Sequence, residues 1–385
     1  MALQWFRVPK DIVFGENALE YLSTLEGKKA TLVTGGSSMK RFGFLDEAKA
    51  QLEKAGMEVS IVDGVEPNPS VETVLRGGKE MAEFNPDWII AIGGGSALDA
   101  AKIMWVFYEY PDSKFEDLVA GKFPTLRKKA KFIAIPSTSG TASEITAFSV
   151  ITDTENHIKY PLVSYEITPD IALLDPALPA KMPAHITANT GMDVMTHAIE
   201  AFVSTNATSY TDPIAVESIK LVYANLPLAY EKADDMGARN HMHNASTLAG
   251  MAFTNSSLGL VHSLAHKIGG ELGITHGLAN AVLLPYIVEY NQKATDKFSY
   301  LEKALGKSDI VESLKELNKR VGIPVSLKEI TEVDMNEEKF NQVLDRMSKN
   351  AFEDPCTLTN PRQSSVEDVK EIYKAAYYGV TASNI

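Results

Sequence analysis

Three short runs, 30–34, 88–92 and 131–135, are apolar apart from Thr31, Thr34 and Lys131, and each ends in a loop drawn from Gly, Ser, Thr and Pro. A strand without a polar face has no side for water, so these runs belong to a sheet covered on both faces. Helical patterns over 44–55, 70–84 and from about Ala97 separate them, with a further strand in MEVSIVDGV and a short strand, Gly turn and helix start over 11–22. Such alternation predicts a parallel sheet in an α/β domain.

Ligands of parallel sheets bind at the carboxyl ends of the strands. The loop Gly93-Gly94-Gly95-Ser96 opens a helix, so its backbone N–H groups and the helix dipole can hold a pyrophosphate. The missing side chains permit that close approach. The spacing is not the G-x-G-x-x-G fingerprint, and a lone triple Gly is more often a turn. Two further loops, Gly35-Gly36-Ser37-Ser38 and Pro136-Ser137-Thr138-Ser139-Gly140-Thr141, end neighbouring strands, and three such loops in register favour a dinucleotide. Asp99, one turn into the helix, either meets a ribose or favours the helix N-terminus. An acid at the end of the first of these strands would bond a ribose 2′-hydroxyl and repel a 2′-phosphate. Here that end carries Gly35, Gly36, two hydroxyls, then Lys40 and Arg41, which leaves room and positive charge and predicts NADP(H) over NAD(H).

Strand signals stop near Pro176, where three X-Pro pairs punctuate the chain. Helical patterns follow over 187–203, 212–232, 238–254, 258–270, 277–291, 297–304, 308–320, 337–350 and 365–380. The expected division is therefore an α/β dinucleotide-binding domain, 1–180, and an all-helical domain, 181–385. In the first of these helices Met192, Met195, Ile199 and Phe202 face a core, and Asp193, His197 and Glu200 lie opposite. Asp193 and His197, at i and i+4, have Cβ atoms about 5–6 Å apart. That pair can chelate a metal ion or form a buried hydrogen bond. Three of the eight histidines, His262, His266 and His276, fall in one apolar segment, 255–280. By spacing alone, His262 and His266 are the better chelating pair. The polar stretch 232–242 reads as a loop, with His241 and His243 as surface or helix-face residues.

A net charge of −13 disfavours a nucleic-acid partner. The single cysteine, Cys356, excludes an internal disulfide and a cysteine-based zinc cage. The start of the chain has no signal-peptide pattern, and no apolar stretch reaches membrane-spanning length, so the expected compartment is the cytoplasm.

Taken together, Gly93-Gly94-Gly95-Ser96 with Asp99, the 136–141 loop with Glu144, Gly191-x-Asp193-x-x-x-His197, and His262-x-x-x-His266 followed by His276-Gly277 resemble the iron-containing, group III alcohol dehydrogenases over the whole chain. The opening LQWFRVPK and the stretch KIMWVFYEYPDSKFEDL look like the alcohol-dehydrogenase half of bifunctional aldehyde–alcohol dehydrogenases. The resemblance implies Asp193, His197, His262 and His276 as ligands of Fe2+, with Zn2+ also suited to the donors. It makes His266 a non-ligand near substrate and nicotinamide, the candidate proton relay. It also implies cofactor contacts from Asn68, Thr138, Thr141, Val150 and Lys159. Many NAD-using members carry Asp where this chain has Gly35, a departure that again points to NADP(H). The implied activity is hydride transfer between NAD(P)(H) and a short-chain primary alcohol or aldehyde, in a homodimer. Phe148, Phe253 and Phe352 are candidates for an apolar pocket wall. A zinc-dependent polyol dehydrogenase of the same superfamily and a metal-dependent hydrolase are the alternatives.

Overall fold

The computed structural model describes residues 4–156 and 158–385. Two compact units emerge: Arg7–Thr138 with Ala142–Lys181, and Met182–Ile385 with Ser139–Thr141 and the segment ending at Phe6. The division falls at 181/182 rather than 180/181, and residues 139–141 group with the helical unit.

In the α/β unit, six parallel strands form one sheet: β1 (Asp11–Phe14), β2 (Lys29–Gly35), β3 (Glu58–Val65), β4 (Trp88–Gly93), β5 (Lys131–Pro136) and β8 (Ile171–Leu174), in the order β1-β8-β5-β4-β2-β3. Helices α1 (Ser38–Arg41), α2 (Phe44–Lys54), α3 (Val71–Phe84), α4 (Gly95–Glu109) and α5 (Phe115–Val119) connect them. Side chains alternate across a strand, so β4 feeds two cores. Ile89 and Ala91 pack with α3 and α4, whereas Ile90 and Ile92 pack with α2. The helix expected after Gly15 is a 3-10 turn, Ala18–Thr24.

The sheet also sets the ligand position. From β2 the chain runs outward to β3, then crosses back to place β4 on the other side of β2. That reversal is a topological switch point, and ligands of open α/β sheets bind outside the carboxyl ends of the two strands that flank it. Those ends are Gly35-Gly36 and Gly93-Gly94.

Three strands escape the sequence reading. β8 is four residues long, and the antiparallel hairpin β6 (Phe148–Asp153) and β7 (Ile158–Val163) contains Pro161, which signals against a strand. The hairpin is fastened to α4, not to the large sheet. Lys102, fully buried, donates to the carbonyls of Thr146 and Phe148 at 2.9 and 2.7 Å. Asp99 accepts from the Val150 amide at 2.9 Å.

The helical unit contains α6 (Ala184–Val203), α7 (Thr211–Glu231), α8 (Met236–Ser256), α9 (Leu260–Leu272), α10 (His276–Asn291), α11 (Lys297–Leu305), α12 (Ile310–Arg320), α13 (Glu337–Phe352) and α14 (Val366–Tyr378). The supposed loop 232–242 shrinks to 232–235, because Asp235 caps α8 by accepting from the Ala238 amide at 2.9 Å. α6 is buried around its circumference from Met192 to Val203, so Asp193, His197 and Glu200 lie inside the protein along with the core face. Among the described residues no helix is long and apolar enough to cross a membrane.

Candidate metal centre

A carboxylate and two imidazoles cannot be buried without partners at low cost, which makes the surroundings of α6 informative. Asp193, His197 and His262 are each 5% exposed or less. His276, on the first turn of α10, completes a group whose ligand atoms all lie within 4.8 Å of one another. From Asp193, His197 Nδ1 is 4.0 Å away, His262 Nε2 3.9 Å and His276 Nε2 3.6 Å. The approach of α10 to α6 needs Gly277, since a Cβ there would lie 2.5 Å from the Asn189 carbonyl oxygen.

Burial lowers the basicity of His197, and burial with the neighbouring imidazoles lowers that of His262 much further. Neutral rings keep lone pairs for a cation. His197 Nδ1 is buried with no hydrogen-bond partner. Three imidazoles and one carboxylate are a borderline donor set that suits Fe2+ or Zn2+. The residues therefore fit a divalent ion.

The polar stripe of α6 has a third member. Glu200 Oε2 lies 2.6 Å from His262 Nδ1, while its Oε1 accepts from the Val261 amide at 2.6 Å. Burial pushes the Glu200 carboxyl up to about 8, so near neutral pH the carboxyl and His262 Nδ1 share one proton across that contact. With the proton on Nδ1 donated to Glu200, the His262 Nε2 lone pair faces Asp193, the arrangement metal-binding histidines need. Asn280 is a further neighbour, its amide nitrogen 2.7 Å from Asp193 Oδ1. Its only sequence signal is its i+4 spacing from His276.

His266 stands outside this group. Its ring stacks on that of His276 at 5.5 Å and 13°, and its Nδ1 is 3.2 Å from Asp354 Oδ2. Lys267 Nζ donates to the same oxygen at 2.7 Å. Nothing local in the sequence marks Asp354, 88 residues away. Of the aromatic candidates, Phe253 stacks on His197 at 4.5 Å, Phe352 is an exposed residue ending α13, and Phe148 lies on β6 in the other unit.

His243 lies on helix α8 but not at the surface. It is 1% exposed, and its Nδ1 is 3.0 Å from Ser139 Oγ while Nε2 has no partner. The polarity of this stretch is misleading because α8 is buried on several sides. Burial holds the ring down to about 4. The unfolded chain takes up this proton near pH 6.5, whereas the folded chain resists until about 4. Stability is thus expected to fall as pH drops through that window, by about 3 kcal/mol for this group. The His243→Gln protein should lose that part of the slope in thermal melts between pH 7 and 4, and an unchanged slope would refute the assignment.

In the α/β unit, Gly94 caps α4, whose first turn carries no acid, and the Ser137 amide donates to the Gly93 carbonyl at 2.8 Å. Gly93–Ser96, Ser137 and Thr138 therefore share one end of adjacent strands. Gly35–Ser38 flank them on β2. Lys159 donates to Asn68 at 2.8 Å, bringing together two residues 91 positions apart. Val150 is 40% exposed, and Thr141 is an exposed residue of the 139–141 segment. The Asp99 carboxylate is engaged with the hairpin rather than capping α4.

A profile described as "Iron-containing alcohol dehydrogenase" matches residues 9–176, and one described as "Fe-containing alcohol dehydrogenase family, C-terminal" matches 187–377. The chain is 49% identical to the NADPH-dependent butanol dehydrogenase of Clostridium saccharobutylicum, over 97% of this chain and 98% of that protein. This chain belongs to the iron-containing alcohol dehydrogenase family. As a member of that family it is an oxidoreductase, an alcohol dehydrogenase and aldehyde reductase. It is also 41% identical to the aldehyde-alcohol dehydrogenase of Streptococcus pneumoniae, covering 98% of this chain but 46% of that longer protein. The solved iron-containing alcohol dehydrogenase of Thermococcus thioreducens superposes with a TM-score of 0.91 at 37% identity, over 97% of this chain and 100% of that one. The family supports iron and a nicotinamide cofactor.

Proposed function

We propose that this alcohol dehydrogenase moves hydride between NADP(H) and a short-chain primary alcohol or its aldehyde, with Fe2+ held by Asp193, His197, His262 and His276. The convergence of these four side chains from three helices carries the reading. When bound, the ion supplies Lewis acidity toward an alcohol or carbonyl oxygen, and the nicotinamide supplies or accepts hydride. The protein's own groups do the rest. Asp193 offsets one of the two charges, and the burial of His197 and His262 keeps them as neutral donors. Phe253, stacked on His197, keeps water from one side of the site. His266 takes the role of passing a proton between substrate oxygen and solvent, a reading supported by the 40% exposure of its side chain and the contact of its Nδ1 with Asp354.

For the cofactor, Gly35-Gly36 at the switch point, followed by exposed Lys40 and Arg41, supports a 2′-phosphate. A Cβ on Gly35 would sit 2.5 Å from the Val65 carbonyl oxygen, so an acid at this position requires β3 to shift. The name of the C. saccharobutylicum relative is in keeping with both cofactor and substrate. The test is kcat/KM for NADPH and NADH with butanal, using Fe2+-loaded enzyme. NADPH should be favoured by at least about tenfold, or about 1.4 kcal/mol. A tenfold preference for NADH would reverse the cofactor reading, and no turnover with either would remove the substrate class.

A further inference from the structure

The Asn280 side chain is fully buried at the centre of the ligand group. Its Nδ2 lies 2.7 Å from Asp193 Oδ1, 3.2 Å from His262 Nε2 and 3.1 Å from His276 Nε2. Its Oδ1 is buried with no hydrogen-bond partner. One amide thus reaches three of the four proposed ligands, from a position one turn after His276 on α10.

We infer that Asn280 is a positioning residue for the metal, holding Asp193 in the orientation that a cation requires. The inference rests on the ligand quartet proposed above. An amide has two N–H bonds, and three acceptors converge on it. The shortest contact, to the charged carboxylate, is the one a bound cation leaves intact, because Oδ1 has a second lone pair. The two contacts to imidazole nitrogen are longer and use lone pairs that a cation would take. Asn280 therefore competes weakly for two ligands and supports the third. The carboxylate has few other restraints: its distances to the imidazoles of His197, His262 and His276, 3.6 to 4.0 Å, are too long for hydrogen bonds. A neutral donor also suits the site's electrostatics. It fixes the carboxylate without cancelling the charge that attracts the ion, as a Lys or Arg there would.

The experiment is Co2+ binding to chelator-stripped full-length protein, by competition with a chromophoric chelator, alongside thermal melts with and without Co2+. Asn280→Ala is expected to weaken Co2+ binding by about 10–100-fold, the usual effect of losing an outer partner of a metal ligand. Affinity within twofold of the parent overturns the inference. Asn280→Leu keeps the side chain's approximate size, removes the N–H donor without adding charge, and serves if the alanine variant fails to fold. Its Co2+ affinity should likewise fall by about 10–100-fold. Affinity within twofold of the parent counts against the role. If the parent itself binds no Co2+, the quartet is wrong and Asn280 falls with it. Parent binding with an unaltered Asn280→Ala protein rejects Asn280 alone.

Discussion

Asp193→Ala protein is expected to lose bound metal and alcohol oxidation together. Asp193 is the only carboxylate in the proposed quartet, and it is 3% exposed. Without it a divalent cation would meet three neutral imidazoles in a poorly solvated site, where an uncompensated charge is costly. The loss in affinity should exceed the ~10–100-fold that removing an outer partner produces. His276→Ala should act in the same direction but less strongly, since that side chain is 42% exposed and water can take its place. Elemental analysis of anaerobically purified protein, run beside butanol oxidation, checks both. Full metal content in both variants would overturn the ligand assignment, even if activity were gone.

Glu200→Ala should be the next most damaging change. Its carboxylate engages His262 Nδ1 and the Val261 amide at 2.6 Å each, and the alanine leaves both buried without a partner. The His262 ring then loses the restraint on its tautomer and orientation. Metal affinity is expected to drop about 10–100-fold. Glu200→Gln should fall less, because its amide fits the same space and still offers one acceptor. Chelator competition measures the two, with far-UV circular dichroism to establish folding. A folded Glu200→Ala protein that binds metal as the parent does would show that His262 is held by packing alone.

The two units differ in how much of them can be read locally. Strands β2, β4 and β5 announce themselves because burial on both faces leaves few polar positions, and the Gly-rich loops follow from where those strands end. The helices of the second unit are legible from their repeat, although caps such as Asp235 decide where they begin. The hairpin β6–β7 is not, since its support comes from Lys102 and Asp99 on α4, tens of residues away.

At the metal centre the boundary is sharper. The chain alone determines that Asp193, His197 and Glu200 share one face of α6, because 3.6 residues per turn places i, i+4 and i+7 together. The same rule favours His262 with His266, whereas in the fold the ligand atoms of His262 and His276 gather on Asp193 and His266 turns to Asp354. Which imidazole faces the carboxylate depends on how α9 and α10 pack on α6, and that packing is set by contacts such as Gly277 against Asn189, far apart in sequence. Periodicity is a property of one helix, but a coordination site is a meeting of three, so only the tertiary structure could choose its members.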